Sequence, residues 1–146
     1  MTDPKSGKAV LDSFLWLDEY SVGVPDIDAD HKNLVHILNQ VIRSANEGQG
    51  KELVLAAFDE LKDYTVYHFR HEESLMEHAM YPGLTDHRAA HEYLIERLEL
   101  FRDDVESGRV DVTKVAKFLI DWLLVHGVEE DSRLGKFLCE RGINLI

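Results

Sequence analysis

Apolar positions recur along this chain at steps of three and four, the spacing of one helix face rather than the alternation of a strand. Between Asp26 and Glu47 the inward set is Ile27, His31, Leu34, Leu38, Val41 and Ala45. From Lys51 to Met80 it is Val54, Ala57, Leu61, Tyr64, His68, Glu72, Leu75 and Ala79. From Thr85 it is His87, His91, Leu94, Leu98, Phe101 and Val105, and after Asp111 it is Val112, Val115, Leu119, Trp122 and His126. Stops fall at Gly48–Gln49–Gly50, Tyr81–Pro82–Gly83, Ser107–Gly108 and Gly142, and Thr85 and Asp111 are suited to cap the helices they precede. Four long helices with short loops predict an all-α, up-down-up-down antiparallel four-helix bundle over residues 26–146. Residues 1–25 are expected to form an N-terminal arm. Its cluster Phe14, Leu15, Trp16 and Leu17 is expected to cover the bundle, before a turn-like SVGVPD.

Every one of these apolar stripes carries imidazole or carboxylate. Burying such groups without partners is costly, because each loses its water. A shared metal site removes that cost by satisfying the nitrogens and neutralising the carboxylates. His68 and Glu72 are four residues apart, as are His87 and His91, so each pair stacks on one face and can hold a common ion. His71 and Glu73 each lie about 100° off that stripe and are expected to face outward or sit at its boundary. In an antiparallel bundle the start of helix one, the end of helix two, the start of helix three and the second half of helix four fall at one end. His31, His68 with Glu72, His87 with His91, and His126 all belong there. Asp131 is five residues after His126, about 140° away on an ideal helix, and a one-residue bulge eased by Gly127 would bring the two into register. Glu129 and Glu130 compete for the same role, and Glu130 has the better ideal angle.

Composition narrows the class. The 146-residue chain is long enough for one domain with its own core, at 45% hydrophobic and 30% charged residues. A formal net charge of −12 makes it a poor partner for phosphate backbones, so nucleic acid is set aside. No apolar run approaches the roughly 18 residues of a membrane span, so no membrane insertion is expected, and MTDPKSGKAVLDSF has no apolar core of a secretory signal. The single cysteine, Cys139, excludes an intrachain disulfide and fits a cytoplasmic setting. It is expected as a small buried hydrophobe or an inert thiol. Of the eight histidines, His36, His71 and His78 fall off the stripes and are expected at the surface or boundary. Tyr64 and Trp122 are expected to pack in the core.

Four stretches together resemble the hemerythrins, in particular the single-domain bacterial ones: SVGVPDIDADH at 21–31, HFRHEESLM at 68–76, HRAAH at 87–91 and WLLVHGVEED at 122–131. The resemblance covers nearly the whole chain and implies a non-haem di-iron centre. His31 and His68 would serve one iron and leave a position open. His87, His91 and His126 would complete the other. Glu72 and Asp131 would bridge the two, with an oxo or hydroxo group as third bridge, and the resemblance thereby selects Asp131 over its neighbours. It implies reversible binding of O2, for carriage, storage or sensing, rather than an enzyme. A sensing role would require a protein partner. A di-iron redox enzyme, or a protein handling nitric oxide or peroxide, is the alternative. Ile27 and Trp122, each one turn before a ligand histidine, are candidate walls of the oxygen pocket, with Phe69. Leu123 falls where the family has an apolar pocket residue. Gly127 departs from the family, which usually has a bulky apolar residue there, and a path for water at that point would speed autoxidation.

Overall fold

The computed structural model describes residues 14–142 apart from 49 and 110, with the side chains of 112 and 124–126 outside the description. Helices α1 (Pro25–Asn46), α2 (Lys51–His78) and α3 (Leu84–Glu106) are continuous. The fourth arm of the bundle is divided into α4 (Val112–Asp121), a π-helical segment (Trp122–Val128) and α5 (Glu129–Glu140). α1 packs against α2 and α4, and α2 against α3. Among the described residues the fold is all-α, as the periodicity predicts.

Local chemistry sets the ends. Pro25 opens α1 with its φ already helical and no N–H to satisfy. Asp28 ties the arm to that first turn, accepting from Ser21 Oγ at 2.6 Å and from the Val22 N–H at 2.8 Å. Asp111 caps α4 by accepting from the Thr113 N–H at 3.1 Å. Thr85 does not cap α3, which starts one residue earlier behind Gly83. The tight turn before it already supplies the first helical bonds: Leu84 N–H donates to Tyr81 C=O and His87 N–H to Gly83 C=O. α2 ends in a reversal in which Tyr81 N–H donates back to Met76 C=O and Met80 N–H to Glu77 C=O. Met80 occupies the left-handed position of that motif, at φ 54°.

The apolar core has two parts. The larger is built around Ile42, Phe58, Leu61, Leu98 and Val115. The smaller, at the other end, holds Val22, Val24, Ile27, Met76, Leu134 and Leu138. The ligand-type side chains stand between them: on α1, for example, Ile27 and Leu34 flank His31. The arm reaches α5 by close backbone approach, since a Cβ on Gly135 would collide with the Val22 carbonyl oxygen.

Two expectations change. The arm covers the bundle through part of its cluster only: Asn39 grips Phe14 by two hydrogen bonds, at 2.7 and 2.8 Å, while Leu15 and Leu17 are exposed. Cys139 is exposed rather than buried, because the last turn of α5 turns it outward, where its Sγ lies 3.7 Å from the Gly23 carbonyl.

Candidate metal centre

Six of the seven expected ligand residues converge between the two apolar clusters. His31, His68, Glu72, His87, His91 and Asp131 are all buried, and Glu72 has no exposure at all. Their donor atoms form two groups, each within 4.8 Å: His31, His68, Glu72 and Asp131, and Glu72, His87, His91 and Asp131. The carboxylates belong to both. Asp131 Oδ2 lies 2.8 Å from His31 Nε2, and its Oδ1 lies 2.9 Å from His87 Nε2. Glu72 Oε2 lies 3.3 Å from His68 Nε2, and its Oε1 lies 3.1 Å from His91 Nε2 and 3.3 Å from His87 Nε2.

Asp131 reaches this position because the fourth arm is π-helical over Trp122–Val128. The wider turn takes up the extra residue that a straight α-helix would leave between positions 126 and 131. Asp131 faces the site, whereas Glu129 is exposed and Glu130 half-buried at the edge. His126 lies on the π segment, and its side chain is outside the described residues.

The donor set fits a pair of transition-metal ions. Both Glu72 oxygens are buried without a hydrogen-bond partner, although three imidazole nitrogens approach them to within 3.3 Å. The distances are those of ion pairs, but the nitrogens are not aimed along hydrogen bonds to these oxygens. His31 and Asp131 do hydrogen-bond, at 2.8 Å, but the Glu72 oxygens converge on their neighbours without bonding them, which suits donors to a common centre. An orphaned buried carboxylate is otherwise hard to explain.

Without metal the cluster holds its charge internally. Burial alone would lower His87, but Asp131 and Glu72 outweigh it and push it up to about 10. Burial likewise opposes the charging of His68, and Glu72, Asp131 and Asp30 together raise it well above the ordinary histidine value. Burial would raise Asp131, and Glu72 together with His31, His68 and His87 holds it well below the usual carboxylate range.

A second ring of polar side chains surrounds the first. His68 Nδ1 lies 3.0 Å from Asp30 Oδ2, and His71 Nδ1 lies 2.7 Å from the same oxygen. Tyr64 OH donates to Asp30 Oδ1 at 3.0 Å and accepts from Asn33 Nδ2 at 3.0 Å. Burial would raise Asp30, but these donors bring it down to about 2. On the opposite side His91 Nδ1 lies 2.8 Å from Glu73 Oε2, and Arg88 braces Glu73. Phe69 stacks flat on the His91 ring, 3.8 Å between centroids and 4° between planes. His71 and Glu73 therefore sit at the boundary, as expected, but each has a partner that the stripe alone does not reveal. Asp30 was not among the expected site residues. Its place three residues after Ile27 and four before Leu34 is the signal that puts it on the inner face.

A cavity of about 40 Å³ adjoins one side of the cluster. By the same measure a single water needs ~10–15 Å³. His31, His68 and Asp131 form its polar wall, and Phe69, Trp122, Leu123 and Gly127 are among its apolar walls. Neither His87 nor His91 lines it. Ile27 lies elsewhere, in the smaller core cluster, because the turn before His31 points toward the end of the bundle rather than its middle.

A family model described as the hemerythrin HHE cation binding domain matches residues 22–138. A bacteriohemerythrin of Pseudomonas paraeruginosa is 31% identical over 118 residues, which are 81% of this chain and 76% of that one. Myohemerythrin-1 of Phascolopsis gouldii is 26% identical over 118 residues, 80% of this chain and 87% of that one. A crystal structure of a hemerythrin single-site mutant superposes with a TM-score of 0.77 at 25% identity, covering 86% of this chain and 96% of that one.

Proposed function

The chain belongs to the hemerythrin family, and we propose that it is a non-haem di-iron protein that binds O2 reversibly, with His31, His68, Glu72, His87, His91, His126 and Asp131 as its metal ligands. The observation that carries this reading is the division of two buried carboxylates between two groups of histidines. Glu72 and Asp131 would each bridge, giving one oxygen to either ion. His31 and His68 would hold one iron, and His87, His91 and His126 the other, with an oxo or hydroxo group as the third bridge. Imidazole and carboxylate also suit other divalent metals, and membership of a family of di-iron oxygen-binding proteins is what favours iron.

When bound, the iron pair supplies the electrons and the open position that O2 needs. The rest is the work of the chain. The cavity touches the two histidines of the group with fewer ligands, which is where a vacant position is expected. Phe69, Trp122 and Leu123 would keep water out of it. Thr65, a polar residue in its lining, donates its hydroxyl hydrogen to the Leu61 carbonyl at 2.7 Å and so turns it away from the cavity. The reading is a binding protein rather than an enzyme, and it carries with it the cytoplasmic setting expected from the single cysteine. No helix among the described residues is long and apolar enough to cross a membrane.

Anaerobic titration with Fe2+ followed by oxygen uptake tests this reading. Uptake of two irons per chain, then of one O2 per iron pair that returns under argon, is the expected result. Fewer than two irons contradicts the centre. Oxygen that is consumed and never released contradicts reversible binding and favours a redox enzyme.

A further inference from the structure

We propose that Asp30 is the positioning residue for His68: it holds the Nδ1 edge of that ring so that Nε2 is presented to the metal centre, and Tyr64 and His71 hold Asp30 in turn. The inference rests on the reading of His68 as a ligand, and it concerns residues that lie outside the ligand set.

The geometry leaves Asp30 little freedom. Tyr64, His68 and His71 stand at positions i, i+4 and i+7 of α2, one face of that helix, and all three meet one carboxylate projecting from α1. Oδ2 receives two imidazole nitrogens and Oδ1 receives the tyrosine hydroxyl, so neither oxygen can turn away without losing a bond. Asn33, one turn further along α1, fixes the tyrosine oxygen. The chain of contacts runs from the buried His68 to the half-buried His71 at the surface.

The consequence for His68 follows from imidazole chemistry. A ring can ligate a metal through Nε2 only if its remaining proton is on Nδ1, and a carboxylate at 3.0 Å from Nδ1 favours a proton on that nitrogen over one on Nε2. His68 Nε2 then faces Glu72 Oε2 at 3.3 Å and Asp131 Oδ2 at 3.9 Å. A carboxylate placed only to join α1 to α2 has no need to meet the rear nitrogen of a ring whose front nitrogen enters the cluster. Glu73 stands in the same relation to His91, which supplies an internal control on the other side of the site.

The test uses the full chain loaded with Zn2+, a diamagnetic probe, and reads two quantities. One is zinc affinity by chelator competition. The other is the Nδ1–H proton of each imidazole in nitrogen-15 NMR. In the unaltered chain His68 and His91 should both show a slowly exchanging Nδ1–H. Asp30→Ala should abolish the His68 signal, leave that of His91, and weaken zinc binding by about 10–100-fold. Asp30→Asn, which keeps the shape and one acceptor oxygen, should fall between the two and guards against loss of fold. If Asp30→Ala and Asp30→Asn bind zinc as the parent does and keep the His68 signal, the role of Asp30 is overturned while the metal centre stands. If the parent chain binds no zinc, the metal centre fails and the role of Asp30 falls with it.

Discussion

Glu72 on α2 and Asp131 on α5 share their oxygens between the same two groups of histidines, although 59 residues of chain separate them. Glu72 turns one oxygen toward His68 and the other toward His87 and His91, and Asp131 turns one toward His31 and His68 and the other toward His87. A pair of acids that merely balanced buried histidines would not need this division. It is the arrangement that two metal ions require of their bridges.

Glu72→Gln should therefore do two separable things. Metal bound per chain should fall below two, as measured by elemental analysis after dialysis. The metal-free protein should also lose about 3 kcal/mol of stability, because protonated His68 and His87 lose a buried countercharge. Unchanged metal content in the variant would show that Glu72 is not a bridge.

The metal-free protein should be most stable in mildly acidic solution. His87 is held at about 10 in the folded protein, above its ordinary 6.5. Its contribution is full below pH 6.5 and is lost as pH rises through about 10. Asp30 is held at about 2, below its ordinary 3.8. Its contribution is full above pH 3.8 and is lost as pH falls toward 2. Urea midpoints measured across pH should peak between about 4 and 6.5. Metal loading should release protons, because the imidazoles must be neutral to bind, and affinity should rise with pH.

Gly127 lines the cavity, and a Cβ there would make only ordinary contacts, 3.5 Å to Leu123 Cδ1 and to Trp122 Cζ3. Gly127→Ala should fold, retain full metal content and narrow the cavity. Autoxidation, followed spectroscopically in the iron-loaded protein, should slow. A rate equal to that of the parent would show that water does not enter at this point.

Gly135 is the reverse case. A side chain there meets the backbone of the arm at Val22, which cannot rotate aside as a side chain could. Gly135→Ala should cost about 1–3 kcal/mol in thermal or chemical denaturation, and the arm should lift from α5.

Much of this was legible in the sequence because helical spacing is a geometric code. His68 with Glu72 and His87 with His91 are four apart, and the helix alone makes each pair face one way. Depth was legible too, since short loops fix which helix ends adjoin. Asp131 was different. Spacing favoured Glu130, and only the π-helical turn over Trp122–Val128 makes Asp131 the inward residue. Regular periodicity cannot select one register shift among several. Asp30 and Tyr64 were missed in their role for a related reason: a stripe identifies which residues face inward but not which cross-helix partner each one meets. Thr85 is a good capping residue that a tight turn made unnecessary. The outward turn of Cys139 is a rotation at the end of a helix, where no further apolar position constrains the reading.

The most direct test of the central claim is the visible spectrum of the protein loaded with Fe2+ without air, recorded through repeated cycles of oxygen and argon. The account predicts a charge-transfer band that appears with O2, bleaches under argon and returns over several cycles. A spectrum that passes once to a stable oxidised form and never bleaches would contradict it.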